Sequence, residues 1–234
     1  MSIYDQHLDK NRANFVALSP VSFVERSAEV FGDLPAVIHG ARRCDWRTLR
    51  ERSARLAAAL RALGVRRGTT VTTMLPNTPE MIEAHYAIPA LNAVVNTLNT
   101  RLDAPLLAWQ MNHCEAEVVI TDREFTPVMG EALRLLKAEH GRSPVVIDVC
   151  DSEYAGPGER LGAHEYEALL AGASLGPVAV QAAGADQPVM GAVIRASVAS
   201  LFFAGALYLG DLYDVGAAVR DRTDGRRLLR ALGI

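Results

Sequence analysis

Lysine is almost missing: of the 24 Lys and Arg residues, Lys10 and Lys137 are the only lysines. Chemistry that builds negative charge on a phosphate draws on well-placed cations. Lys10 lies in a polar N-terminal arm and Lys137 ends an amphipathic helical pattern, so both read as solvated side chains. Cysteine is scarce as well. Cys44, Cys114 and Cys150 are odd in number, far apart and without a CxxC pair, which argues against a disulfide scaffold and a zinc site. The net charge of -3 and pI near 6.1 leave no basic footprint for nucleic acid. Long apolar runs are also lacking: Arg195 and Asp211 bracket an uncharged stretch of about fifteen residues, short of the roughly twenty a membrane span needs. That stretch reads as a buried helix or a re-entrant piece, with membrane attachment through 188–210 the lesser reading. The N-terminus, MSIYDQHLDKNRANF, has no apolar h-region, so the cytoplasm is the expected compartment.

What is present is an alternation of strand and helix patterns in a chain of 234 residues, half of them hydrophobic. Val71 to Leu75 is a β-rich apolar run closed by Pro76, as expected of a buried parallel strand. Thr78 then suits a helix cap and Pro79 the first helical position, with Glu80 and Glu83 near the positive end of the dipole. The spacing of Met81, Ile82, His85, Tyr86 and Pro89 predicts a face laid on a sheet. Asn92 suits the left-handed stop, and Val94-Val95 the next strand, completing a β-α-β unit.

Elsewhere, Ser19-Pro20 opens a helix that Gly32-Asp33 ends, and Ala36 to Ile38 with Arg43 to Trp46 suggest a hairpin. Leu49, Ser53, Leu56, Leu60 and Leu63 define a helix over 46–63 stopped by Gly64. Asp103 to His113 and Glu124 to Lys137 read as helices, and Glu117 to Thr121 and Pro144 to Val149 as strands. The fold class is α/β: an open, mostly parallel sheet with helices on both faces, followed by a helical C-terminal tail.

Several of these stretches carry a family likeness. Leu75-Pro76-Asn77-Thr78-Pro79-Glu80, Ala90-Leu91 with Ala93 to Leu102, Ser53 to Leu60 with Gly64-Val65 and Gly68, Ala116 to Phe125, and Gly156 to Gly172 resemble the N-terminal region of AMP-forming acyl-CoA synthetases. The resemblance runs from about Leu18 to Gly172. It implies half of the large domain of such an enzyme, whose full-length reaction joins a carboxylic acid to CoA with ATP split to AMP and pyrophosphate. ATP, Mg and CoA are the cofactors the resemblance implies for the full-length family. The family's next segment is a phosphate loop of the form Thr-Ser-Gly-Thr-Thr-Gly-x-Pro-Lys-Gly, and nothing after Gly172 matches it. Residues 173–234 are therefore expected to be an unrelated Ala/Gly/Arg-rich tail, helical or poorly ordered, arising by truncation, fusion or an out-of-frame continuation.

The remaining chemical candidates fare poorly. Gly156 to Gly162 is neither GxxxxGK[ST] nor GxGxxG and reads as a surface loop. Gly172-Ala173-Ser174-Leu175-Gly176 matches GxSxG, yet a helical pattern precedes Ser174 and no histidine follows it, so the nucleophile reading fails. His85 is expected to be a buried, hydrogen-bonded histidine. Arg101 and Asn77 follow strand ends, where ligand crevices form in parallel sheets. Arg101 is the best site-lining candidate, although tying two loops together is its expected role. No catalytic, cofactor-binding or metal residue is assigned, and no cofactor is expected for this chain alone. Two readings stand: a family member without ligase activity as this chain, or a non-enzymatic module that associates with itself or another chain through an exposed apolar face.

Overall fold

The computed structural model describes residues 19–174 together with Asp9. All of them fall in the first of two compact units, Met1–Gln187. The expectations for Lys10 and for the tail from Leu175 onward lie outside the described residues.

Helix α1 (Pro20–Val30) starts where the Ser19 hydroxyl accepts from the Val21 N–H. Strands β1 (Pro35–His39) and β2 (Arg42–Asp45) form the expected antiparallel hairpin around Gly40, whose φ is +52. Asp45 then caps α2 (Trp46–Ala62) by accepting from the Thr48 N–H at 2.7 Å. The sheet follows. Its strands are β3 (Thr70–Met74), β4 (Val94–Thr97), β5 (Ala116–Asp122), β6 (Val145–Val149) and the two-residue β7 (His164–Glu165). All pairings are parallel in the order β4-β3-β5-β6-β7. The connecting helices are α3 (Pro79–Ala90), α4 (Ala104–His113) and α5 (Thr126–His140), with α6 (Tyr166–Gly172) after β7.

The strand order places β3 at the point where the chain reverses direction across the sheet. From β3 it steps outward to β4, then crosses back over β3 to β5 and on to β6. Because the crossovers keep one hand, steps in opposite directions put their helices on opposite faces. One apolar layer joins Val71, Val118, Ile120 and Ile147 to α2, α3 and α6; the other joins Met74 and Val119 to α4 and α5. The α/β expectation holds for the described residues.

Two local expectations need correction. The α3 face against the sheet is formed by Ala84, Ala87 and Ile88, with Glu80 and Glu83 also buried, while Met81, Ile82, Tyr86 and Pro89 are half-buried and His85 is exposed. Three small or aliphatic side chains pack flush on the strands and Met81 also meets them, its sulfur 3.6 Å from Thr73 Oγ1, while Ile82 and Tyr86 lie outside that apolar layer. Thr78 stands at the N-cap with extended backbone but makes no capping hydrogen bond. Its hydroxyl is buried without a partner.

Candidate functional site

In a parallel sheet, ligands collect beyond the carboxyl ends of the strands. At that edge, Asp122 closes β5 and Asp151 follows β6. The Asp122 carboxylate accepts from the Asp151 N–H at 3.2 Å and from the Glu124 N–H at 2.8 Å. Asp151 in turn holds His39 Nε2 at 2.9 and 3.0 Å from its two oxygens. This pair fastens the β1–β2 hairpin to the sheet. Burial raises the Asp122 carboxyl above its ordinary value. Burial also pushes on Asp151, but the Glu153 N–H and His39 outweigh it and hold that carboxyl low.

A second connection runs beside it. Arg42, opposite His39 in the hairpin register, donates through Nη1 to Glu80 Oε1 at 2.8 Å. Arg52 on α2 donates through Nε to Glu83 Oε1 at 2.7 Å, and through Nη1 and Nη2 to both oxygens of Glu167 at 3.0 and 2.6 Å. The Tyr166 hydroxyl donates to Glu83 Oε2 at 2.7 Å. One arginine thus binds α2, α3 and α6 together. Burial works against the Arg52 charge, yet the bonds to Glu167 and Glu83 raise its pKa overall. Burial raises Glu83 against the pull of Arg52 and Tyr166, whereas the Arg52 bonds lower Glu167. Tyr166 is pushed well above its ordinary value by burial and by facing the Glu83 carboxylate.

Arg42, Arg52, Glu80, Tyr166 and Glu167 border a cleft of about 350 Å³ at the carboxyl ends of β6 and β7, together with Cys150 and Ser152 among others. None of these lining residues was singled out as a site from sequence. The available signal was the pair Glu80 and Glu83, one helical turn apart on a face otherwise formed by Ala84, Ala87 and Ile88. Carboxylates on such a face require buried partners.

The singled-out residues sit elsewhere. Asn77 and Arg101 are exposed beyond β3 and β4, and the Arg101 N–H donates to Asn99 Oδ1 at 3.0 Å. His85 is exposed rather than buried, with Nδ1 2.7 Å from the Met81 carbonyl of its own helix. Lys137 is exposed in the last turn of α5. Gly156 to Gly162 is a loop without helix or strand, as expected. Helix α6 leads directly to Ser174, so the strand that a nucleophile elbow requires is not there.

Against known proteins, residues 24–190 match the family model "AMP-binding enzyme". The chain is similar to acetate–CoA ligase CCL3 of Humulus lupulus, 38% identical over 172 residues covering 70% of this chain and 30% of that one. It is equally similar to the peroxisomal acetate/butyrate–CoA ligase AAE7 of Arabidopsis thaliana, 38% identical over 171 residues, again 70% of this chain and 30% of the relative. Among solved structures, a Mycobacterium tuberculosis fatty acyl CoA synthetase superposes with TM-score 0.58 at 23% identity, covering 70% of this chain and 30% of that chain. That likeness speaks to the fold alone. The chain spans about 30% of the length of the curated relatives it matches.

Proposed function

The chain belongs to the family of AMP-binding enzymes, and from that footing we propose that it supplies the first sheet subdomain of a carboxylic acid–CoA ligase without performing the reaction as these 234 residues alone. The observation that carries this reading is the overlap between the matched span, 24–190, and the five-stranded parallel sheet with its α3 and α4 crossovers. The related ligases, by their names, act on acetate or on acetate and butyrate. The reaction proposed for the whole enzyme is accordingly the joining of a small carboxylic acid to CoA at the expense of ATP.

Among the described residues, the one glycine-rich loop does not fit a triphosphate. A Cβ on Gly158 would stand 2.3 Å from the Arg123 carbonyl oxygen, and one on Gly162 2.1 Å from that of Val146. The glycines let this loop press on the protein's own backbone; they open no cradle for an anion. The sequence also has no GxxxxGK[ST], and Lys137 lies on the solvent side of α5. Holding the reactants together and stabilising charge supply most of the rate in such reactions, so their loss removes turnover. The test is pyrophosphate release from ATP and Mg with acetate, butyrate, benzoate and long-chain acids. No release above the protein-free rate is expected. Acid-dependent release would overturn the inactivity while leaving family membership intact.

A second reading has one observation behind it: Phe23, Phe31, Leu34 and Ile38, from α1 to β1, are each at least half exposed. Apolar side chains left in water on neighbouring elements favour association. Light scattering after size exclusion tests it, a monomer at all concentrations counting against self-association.

A further inference from the structure

Helix α1 has apolar side chains on two opposite sides. Val21, Val24 and Ala28 are buried where the helix packs on α2 and α3. Phe23 and Val30, seven residues and so two turns apart on one stripe, face away from them and are 54% and 56% exposed. The charges of α1 divide as well. Glu25 is paired with Arg50 at 3.3 Å, and Asp33, just beyond the helix, with Arg47 at 2.9 Å. Arg26 and Glu29 are exposed along one flank of the Phe23–Val30 stripe, and neither makes an ion pair among the described residues.

This face is complementary to itself. A two-fold axis through the middle of the helix, between Arg26 and Ser27, runs a second α1 antiparallel to the first and carries each flank onto the same flank of the other copy. Phe23 of each copy then lies on Val30 of the other, the small Ser27 sits at the crossing, and Arg26 of each comes beside Glu29 of the other. We propose that α1 is the contact of a symmetric dimer of this chain in that antiparallel register. A closed two-fold contact requires one surface that satisfies itself, and here a single face supplies both the apolar stripe and the two opposite charges left without partners. The apolar pair provides affinity, and the charges fix register and orientation. With one helix of eleven residues from each copy, the contact belongs to the small, transient class of interfaces, below about 1,200 Å² in total. The proposal rests on the self-association reading above and adds to it the face, the partner and the register.

Sedimentation equilibrium of the full chain, up to high-micromolar concentration and at low salt, tests it against Arg26→Glu, Glu29→Arg, the two combined, and Phe23→Glu. All three positions are exposed, so the variants keep the fold, which circular dichroism checks. The parent is expected to be in monomer–dimer equilibrium. Each single reversal sets like charges together at two symmetry-related places and is expected to weaken the dimer about tenfold. The combined variant restores opposite charges and is expected to return to within about threefold of the parent. Phe23→Glu is expected to be monomeric. A dimer indifferent to these substitutions, or one weakened by a single reversal and not recovered in the combined variant, would overturn the α1 register while leaving self-association through another face intact. A parent that stays monomeric throughout would overturn both, the face then belonging to an unlike partner or to another segment of the chain.

Discussion

Thr78 shows how a correct backbone position can go with a wrong side-chain role. It occupies the N-cap of α3 with φ -96 and ψ 166, as expected, but its hydroxyl is buried and unbonded. A capping hydroxyl replaced by a methyl loses about 1 kcal/mol, whereas removing a buried, unsatisfied hydroxyl is neutral or favourable. Thr78→Val is accordingly expected to match or exceed the parent in a urea melt, and a drop of about 1 kcal/mol would restore the capping role. Glu115 is the converse case. Its φ of 55 follows the last turn of α4, and a side chain in that conformation costs roughly 1–2 kcal/mol, which glycine avoids in part. Glu115→Gly should therefore raise the melting temperature, and a fall would show that the 3.9 Å contact with Arg142 matters more than the backbone. Asn92, at φ 53, was legible because Asn tolerates this region. Nothing about a glutamate announces it.

At the scale of elements, helix and strand placement was readable from periodicity, while the orientation of α3 was not. Counting large apolar side chains put Met81, Ile82 and Tyr86 on the sheet. Met81 does reach β3, but the rest of the contact is made by Ala84, Ala87 and Ile88, with Glu80 and Glu83 buried because Arg42 and Arg52 reach them from β2 and α2. Partners 38 and 31 residues away leave no local trace. Glu83→Ala leaves Arg52 paired with Glu167 but strands the buried Tyr166 hydroxyl, so it should cost about 1–3 kcal/mol, read by denaturant unfolding. Replacing Arg52, Glu83 and Tyr166 together by Met, Leu and Phe should cost less, since no buried polar group is left without a partner. Equal losses would mean that packing, not the stranded hydroxyl, dominates. The hairpin latch adds a pH dependence. The Asp151 carboxyl is held low, so its contribution is complete above the unfolded value of about 3.9 and is lost as pH falls through the lower folded value. Asp151→Asn should flatten the decline in melting temperature on the acid side, and an unchanged slope would remove His39–Asp151 from the account. Strand β7 escaped the sequence for a simple reason: two residues carry no periodicity.

For the molecule as a whole, alternating strands and helices were enough to expect a parallel sheet, and stretches spread from about Leu18 to Gly172 carried the family likeness. The edge cleft was not legible, because it joins β2, α2, α3, β6 and α6, elements brought together only by the fold. We propose that this chain is a ligase scaffold that does not bind a nucleotide by itself. Isothermal titration of the purified chain with ATP and Mg tests it most directly. The account predicts no heat beyond dilution; saturable uptake at micromolar ATP would contradict it and show that a phosphate site exists within these residues.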